Sequence, residues 1–267
     1  MESTGDLNVC LSGISYQFGE LTENYDQASG YLETITTSNL PEHPTMWGWG
    51  QYHKTDDPYH LALQAARSSL NKAKVLATDI GLTIFACSYF PDKNNDLYYS
   101  TGKLLKKLEL FNSKVEGATL MGCATLLNTI GRASALVHSG EYKNILVVGI
   151  DKLPDEYNRF WDYALFSDSA AACIVSLKDR EPLEKDSALC IRSFHSGIDV
   201  DEIIDGVKFK SKQPLHCRVI KEHLEKEGMK ISEIKKVFNN NVYLPVKRQK
   251  DTMVGFKMIL LAEITIY

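Results

Sequence analysis

Among the side chains of this sequence that could act as nucleophiles, Cys123 has the most telling surroundings. It lies in Glu116-Gly117-Ala118-Thr119-Leu120-Met121-Gly122-Cys123-Ala124-Thr125, a short glycine-bounded segment that runs into a long helical pattern. That arrangement predicts one thiol at the N-terminus of a helix. The unpaired backbone N–H groups and the helix dipole there favour negative charge. Helix N-termini are among the settings that convert a thiol into a usable thiolate nucleophile at neutral pH. The chemistry implied is covalent catalysis at sulfur.

The other five cysteines read differently. Cys10, Cys87, Cys173 and Cys190 lie inside apolar, strand-like runs, where a cysteine is expected to act as a small buried hydrophobe. Cys217 falls on a predicted helix and is given no role. Six cysteines without regular spacing, in a long chain with a polar start (Met1-Glu2-Ser3-Thr4-Gly5-Asp6), do not suggest a disulfide framework or a signal peptide. Neither C-x-x-C nor a Cys/His cluster at zinc spacing is present, so no metal or other cofactor is expected.

Composition narrows the class. The 267 residues are 44% hydrophobic and 24% charged, ordinary values for a globular protein, and the formal charge is −4. That charge supplies no basic face, so nucleic acid is not an expected partner. No apolar run reaches the roughly 18 residues of a membrane-spanning helix. The expectation is a cytoplasmic protein without a membrane partner.

The elements that must position Cys123 alternate between strand and helix. Val9 to Ile14, Gly81 to Cys87, Asn144 to Ile150 and Ala170 to Leu177 read as strands. Pro58 to Val75, Leu97 to Leu110 and Ala124 to His138 read as helices, with Asp56 or Asp57 as an N-cap and Gly140 as a terminator. Near-continuous apolar strands between helices imply a sheet covered on both faces, hence an α/β fold. The charged run Lys178 to Asp186 then reads as a connection. Beyond it, the helical pattern His216 to Glu227 followed by Ile231 to Phe238 echoes the helix near Val75 followed by Thr78 to Phe85, which hints at an internal duplication.

With these pieces in place, the chain resembles a 3-oxoacyl-ACP synthase III-type condensing enzyme of the thiolase superfamily. The resemblance rests on Gly122-Cys123-Ala124-Thr125 with its helix and the exit Val137 to Gly149, on Leu165-Phe166-Ser167-Asp168-Ser169-Ala170-Ala171-Ala172, on Phe90-Pro91 after a strand, and on Val237-Phe238 where the family carries its catalytic histidine. It implies two pseudo-equivalent βαβαβ halves stacked as α-β-α-β-α layers, residues 1–178 and 187–267, the second half incomplete. It also implies a homodimer, or a heterodimer with a paralogue. The implied reaction loads an acyl group from an acyl-CoA or acyl-ACP thioester onto Cys123, for condensation or transfer in fatty-acid-like or specialised metabolism.

The departures from the family lie in the second half. No histidine follows His223, and aligning the strand puts Asn240 at the family's histidine position. Asn240 is either an oxyanion donor in place of an imidazole, or part of a turn made by Asn239-Asn240-Asn241. Tyr243 takes the place of a usually polar family residue. The family's CoA-holding arginine has no match, and Trp47 or Trp49 could stack on the adenine instead. Phe90 either lines a partner's acyl pocket or is a core residue. Asp168 is expected to hold backbone through hydrogen bonds. His138, fifteen residues after Cys123 and so about 20 Å along the helix, is too far to serve as a base; His195 lies at a predicted strand end. Loss of the histidine leaves a second reading open: a non-catalytic partner subunit of an active paralogue.

Overall fold

A computed structural model describes residues 8–37, 41–88, 97–154, 157–161, 164–177, 188–200, 214–238 and 243–256. In chain order the strands are β1 (Val9–Phe18), β2 (Leu21–Asn24), β3 (Gln51–Lys54), β4 (Leu82–Ala86), β5 (Lys114–Ala118), β6 (Asn144–Asp151), β7 (Phe160–Trp161), β8 (Ala164–Leu165), β9 (Ser169–Leu177) and β10 (Ala188–Ile191). The helices are α1 (Tyr31–Thr37), α2 (Pro44–Trp47), α3 (Pro58–Ala73), α4 (Leu97–Lys107), α5 (Thr125–His138), α6 (Leu215–Lys226) and α7 (Leu244–Val254). Asp57 is the cap of α3: its side chain accepts from the His60 N–H at 2.9 Å.

Six strands form one mixed sheet in the order β10-β1-β9-β6-β4-β5. β6, β4 and β5 run parallel, whereas β9, β1 and β10 are joined by antiparallel pairings. Strand alternation assigns each face to its own core. Leu146, Val148 and Ile150 of β6 join Leu61, Ala62, Leu70, Leu104 and Leu108 of α3, α4 and the residue after α4. Ile145 and Val147 turn the other way, with Leu82, Ile84 and Val175, onto Ala133 and Val137 of α5. Both faces are thus covered by helix, which is why these strands read as continuous apolar runs rather than alternating ones.

The strand expected at Ile231 to Phe238 does not form as such. Ile231–Glu233 is a 3-10 turn, Val237 makes a single bridge and Phe238 is exposed. A strand needs a neighbour to take its backbone hydrogen bonds, and no second large sheet lies among the described residues. The sequence echo survives as local structure: α3 is followed by the 3-10 turn Ala77–Asp79, and α6 by Ile231–Glu233. The run Met258 to Tyr267 and the connection 178–187 lie outside the described residues.

A third core is aromatic. Tyr31, Trp49, Tyr52, Phe160 and Tyr243 are buried together, with Tyr25 and Trp47 packed against them. Beside it, Asp168, fully buried, meets Arg159 in a two-pronged ion pair with both contacts at 2.9 Å. Its carboxylate also accepts from the N–H groups of Thr55 and Leu153, each at 3.0 Å, as the expected backbone-holding role requires. Four charge-assisted bonds satisfy this buried anion. Removing one partner leaves an uncompensated buried charge. Arg159→Met is therefore expected to lower unfolding free energy by about 3–5 kcal/mol, read as a fall in the denaturant midpoint; a change under about 1 kcal/mol would contradict this role.

Candidate active site

The C-terminal ends of the parallel strands β5, β4 and β6 open onto one edge of the sheet, the place where open α/β sheets hold ligands. Antiparallel β9 begins at the same edge. Ala86, Gly149 and Ala171 are cross-strand neighbours there. Three such small residues in a row leave space beneath the start of α5. The result is a cavity of about 110 Å³, bounded by Cys87, Ser88, Cys123, Leu126 and Asp151 together with that row.

Cys123 enters this cavity from a 3-10 turn, Gly122–Ala124, that runs directly into α5. The turn from β5 is tight: Leu120 has φ 72° and Gly122 φ 51°. For leucine that left-handed conformation costs about 1–2 kcal/mol, and the side chain is 94% exposed, so packing offers no compensation. Hydrogen bonds hold the turn instead. Thr125 Oγ1 donates to the Gly122 carbonyl at 2.8 Å, and Asn128 Nδ2 to the Ala124 carbonyl at 3.0 Å. The exits of β4 and β5 are tied by the Cys87 N–H donating to the Ala118 carbonyl (3.1 Å) and by Thr119 Oγ1 donating to that of Ser88 (3.3 Å).

Two thiols therefore share the cavity, and their surroundings separate them. Cys123 is exposed. Cys87 is buried, and its thiol is pushed up to about 12 by that burial and then by the charge of Asp151. At neutral pH Cys87 is a protonated, inert thiol and Cys123 is the accessible one.

Asp151 closes β6 and was not singled out in the sequence. Its Oδ1 accepts the Ser88 N–H at 2.8 Å. As a residue it keeps an open surface, yet protein displaces enough water around the carboxyl to push its pKa up, against the opposing hydrogen bonds from Ser88. The signal available in the sequence was an acidic residue at the carboxyl end of a wholly apolar strand.

The other predicted residues that the structure describes do not line this cavity. Asn240 and Phe90 lie outside the described residues. Trp49 is buried, with Tyr25, Tyr31, Phe160 and Tyr243 within 6.2 Å of its ring, and Trp47 stacks on it at 6.0 Å. Trp47 also donates its indole N–H to the Pro41 carbonyl at 2.9 Å. Trp49 is core rather than an open adenine platform, its ring enclosed by other rings, which corrects the CoA-stacking expectation for that residue; Trp47 is half-buried and anchored by its stack on Trp49 and its indole N–H. Tyr243 belongs to the same cluster and donates its hydroxyl to the Ala164 carbonyl at 3.3 Å. His138 ends α5, His195 pairs with Glu222 at 3.3 Å, and neither lines the cavity. Cys10 and Cys190 also depart from expectation, being half-buried and exposed respectively, because β10 is a sheet edge.

Comparisons with known proteins bear on this geometry. Residues 119–190, which contain Cys123, Asp151 and Asp168, match the family model for 3-oxoacyl-[acyl-carrier-protein] synthase III. The beta-ketoacyl-[acyl-carrier-protein] synthase III of Rickettsia canadensis is 30% identical over 191 residues, 68% of this chain and 53% of the relative. That of Rickettsia rickettsii is 31% identical over 153 residues, 56% of this chain and 45% of the relative. The chain thus spans about half the length of the curated relatives it matches. Among solved structures, cerulenin-bound OleA of Xanthomonas campestris superposes with a TM-score of 0.71 at 16% identity, covering 98% of this chain and 85% of that one. An OleA cysteine variant with bound lauric acid and lauroyl-CoA superposes with a TM-score of 0.68 at 15% identity, covering 97% and 85%. The fold is thiolase-like. Within that class the chain is a divergent relative of the 3-oxoacyl-ACP synthase III condensing enzymes. Among the described residues no helix is long and apolar enough to cross a membrane.

Asp151 provides a test of the site's electrostatics. A carboxyl whose folded pKa lies above its unfolded value of about 3.9 binds more protons when folded, so it destabilises the fold as pH rises through that window. Asp151→Asn keeps an acceptor for the Ser88 N–H and removes the charge. The variant is expected to melt at a higher temperature than the parent at pH 7, with the difference shrinking towards pH 4. A variant less stable at pH 7 would contradict the burial of this carboxyl.

Proposed function

We propose that the chain is an acyltransferase in which Cys123 takes an acyl group from an acyl-CoA or acyl-ACP thioester, for transfer or condensation. The observation that carries this reading is the exposed Cys123 thiol on a cavity at the carboxyl ends of parallel strands, beside a second thiol held inert. The Cys123 sulfur attacks the thioester carbonyl, the carrier thiolate leaves and takes up a proton, and the acyl group remains on Cys123. Asp151 is the one carboxyl among the described lining residues, and it acts as the proton acceptor for the Cys123 thiol. The kinship with 3-oxoacyl-ACP synthase III supports the donor class. The lauroyl-CoA bound by an OleA variant of the same fold agrees with it. The substrate carrier binds from the open side of the sheet edge, and the molecule works as a homodimer or beside a paralogue.

Carbon–carbon bond formation demands more than acyl loading, since decarboxylation needs preorganised donors to the developing enolate, and Asn240 stands where the resemblance places the family's histidine. That replacement favours the second reading, a non-catalytic subunit supporting an active paralogue. Incubation with a panel of acyl-CoAs, followed by intact-mass spectrometry, separates the two. An adduct equal to one acyl group, absent from Cys123→Ala, is the expected result. A folded protein that forms no adduct with any donor would exclude the acyltransferase reading and leave the partner-subunit one. In Asp151→Asn, loading is expected to slow by about 100-fold and to lose the limb on which the parent's rate rises with pH; an unchanged rate and profile would exclude Asp151 as the proton acceptor.

A further inference from the structure

We infer that Cys10 and Cys190 form a thiol pair that low-molecular-weight disulfides convert into an intrachain disulfide, joining the edge strand β10 to β1. The two residues are direct partners in the antiparallel register, between Val9↔Ile191 and Leu11↔Leu189. Their sulfurs lie 3.7 Å apart. Directly opposed residues in an antiparallel pair have Cα atoms about 4.5–5.5 Å apart, inside the span a disulfide bridges. Val9 and Leu11 turn towards the α5 core, so Cys10 and Cys190 occupy the opposite face by alternation. At this edge Cys190 is exposed and Cys10 half-buried, so a small reagent reaches the pair from solvent. The other strand cysteines differ: Cys87 and Cys173 are buried, and both thiols are pushed up to about 12 by burial.

The step is thiol–disulfide exchange. The Cys190 thiolate attacks one sulfur of the external disulfide and expels one thiolate. The Cys10 thiolate then attacks the Cys190 sulfur of the mixed disulfide and expels the second. One S–S bond is broken and one is formed. The protein loses two hydrogens and the external disulfide is reduced to two thiols.

Joining β10 to β1 has a consequence for the chain that follows. Phe194, three residues beyond β10, packs its ring on Gly131 of α5; a Cβ at that position would come within 2.6 Å of the ring. The contact exists because Gly131 has no side chain, in a helix interior where glycine otherwise costs about 1 kcal/mol. Oxidation at Cys10 and Cys190 therefore tethers the segment that lies against the helix leading from Cys123. It closes a loop of 180 residues, and long loops gain most from closure.

The test is incubation of the full chain with oxidised glutathione, followed by intact-mass measurement and peptide mapping, in the parent and in Cys123→Ala, which removes the exposed cavity thiol's own mixed disulfide. The expected result in Cys123→Ala is a loss of two hydrogen masses, and in the parent the same loss beside one glutathione on Cys123; both are expected to give one linked peptide joining Cys10 to Cys190, reversal by dithiothreitol, and a rise of roughly 5–10 °C in melting temperature. Cys10→Ser is expected to hold glutathione on Cys190 without resolving it. Cys190→Ser, a change at an exposed site, is expected to fold and to form no link. A persistent glutathione adduct on Cys190 in the parent, a link from Cys190 to another cysteine or another chain, or no reaction at either thiol would overturn the inference.

Discussion

The buried Arg159–Asp168 pair is the constraint on which the rest of the molecule is hung. Asp168 immediately precedes β9, a central strand of the sheet. Its carboxylate draws the start of that strand to Thr55 after β3 and to Leu153 after β6, and its backbone bonds to Gly19 and His53. Three separate stretches of chain, those at the ends of β1, β3 and β6, therefore converge where β9 begins. That fixes the sheet edge onto which Cys87, Cys123 and Asp151 open. A buried ion pair is weak evidence for net stability, because desolvation offsets much of the attraction. Its value here is positional: with every lone pair used, the loops around the site have one arrangement.

The site follows from that edge and from local backbone geometry. Parallel strands bring their carboxyl ends together, small residues on three neighbouring strands leave space, and a turn with left-handed Leu120 and Gly122 brings Cys123 to it. Burial then divides the work between two thiols of the same chemical kind. Asp151 plays a double part, since its charge helps to keep Cys87 protonated while its own carboxyl is pushed up by its surroundings. One charge thus disfavours ionisation of the buried thiol beside it.

Much of this was legible in the sequence, and the failures have physical causes. The first-half strands and helices were readable because strands covered on both faces are continuously apolar and the helices are amphipathic. Cys123 was readable from Gly122 and the helix after it, and Asp168 from the family resemblance of the segment Leu165 to Ala172. Trp49 misled because an aromatic residue flanked by glycines looks the same whether it stacks on a ligand or on Tyr25, Phe160 and Tyr243. Only tertiary packing separates those. Cys190 misled because an apolar run at a sheet edge resembles one at the centre. Asp151 went unnoticed because its importance lies in β4 and β5 ending at the same edge, a non-local fact. The strand expected to end at Phe238 shows only the single bridge of Val237 among the described residues, because strand pairing depends on distant chain that no local pattern reveals.

The central claim is that one of two thiols in a single cavity is the nucleophile, selected by burial. A thiol at about 12 is ionised to about one part in 10⁵ at pH 7. The direct measurement is the rate of alkylation of Cys123 and of Cys87 by iodoacetamide in the folded protein, each followed by peptide mass spectrometry. Alkylation of Cys123 at least about 100-fold faster than of Cys87 is the result this account requires. Equal rates, or Cys87 reacting first, would contradict it.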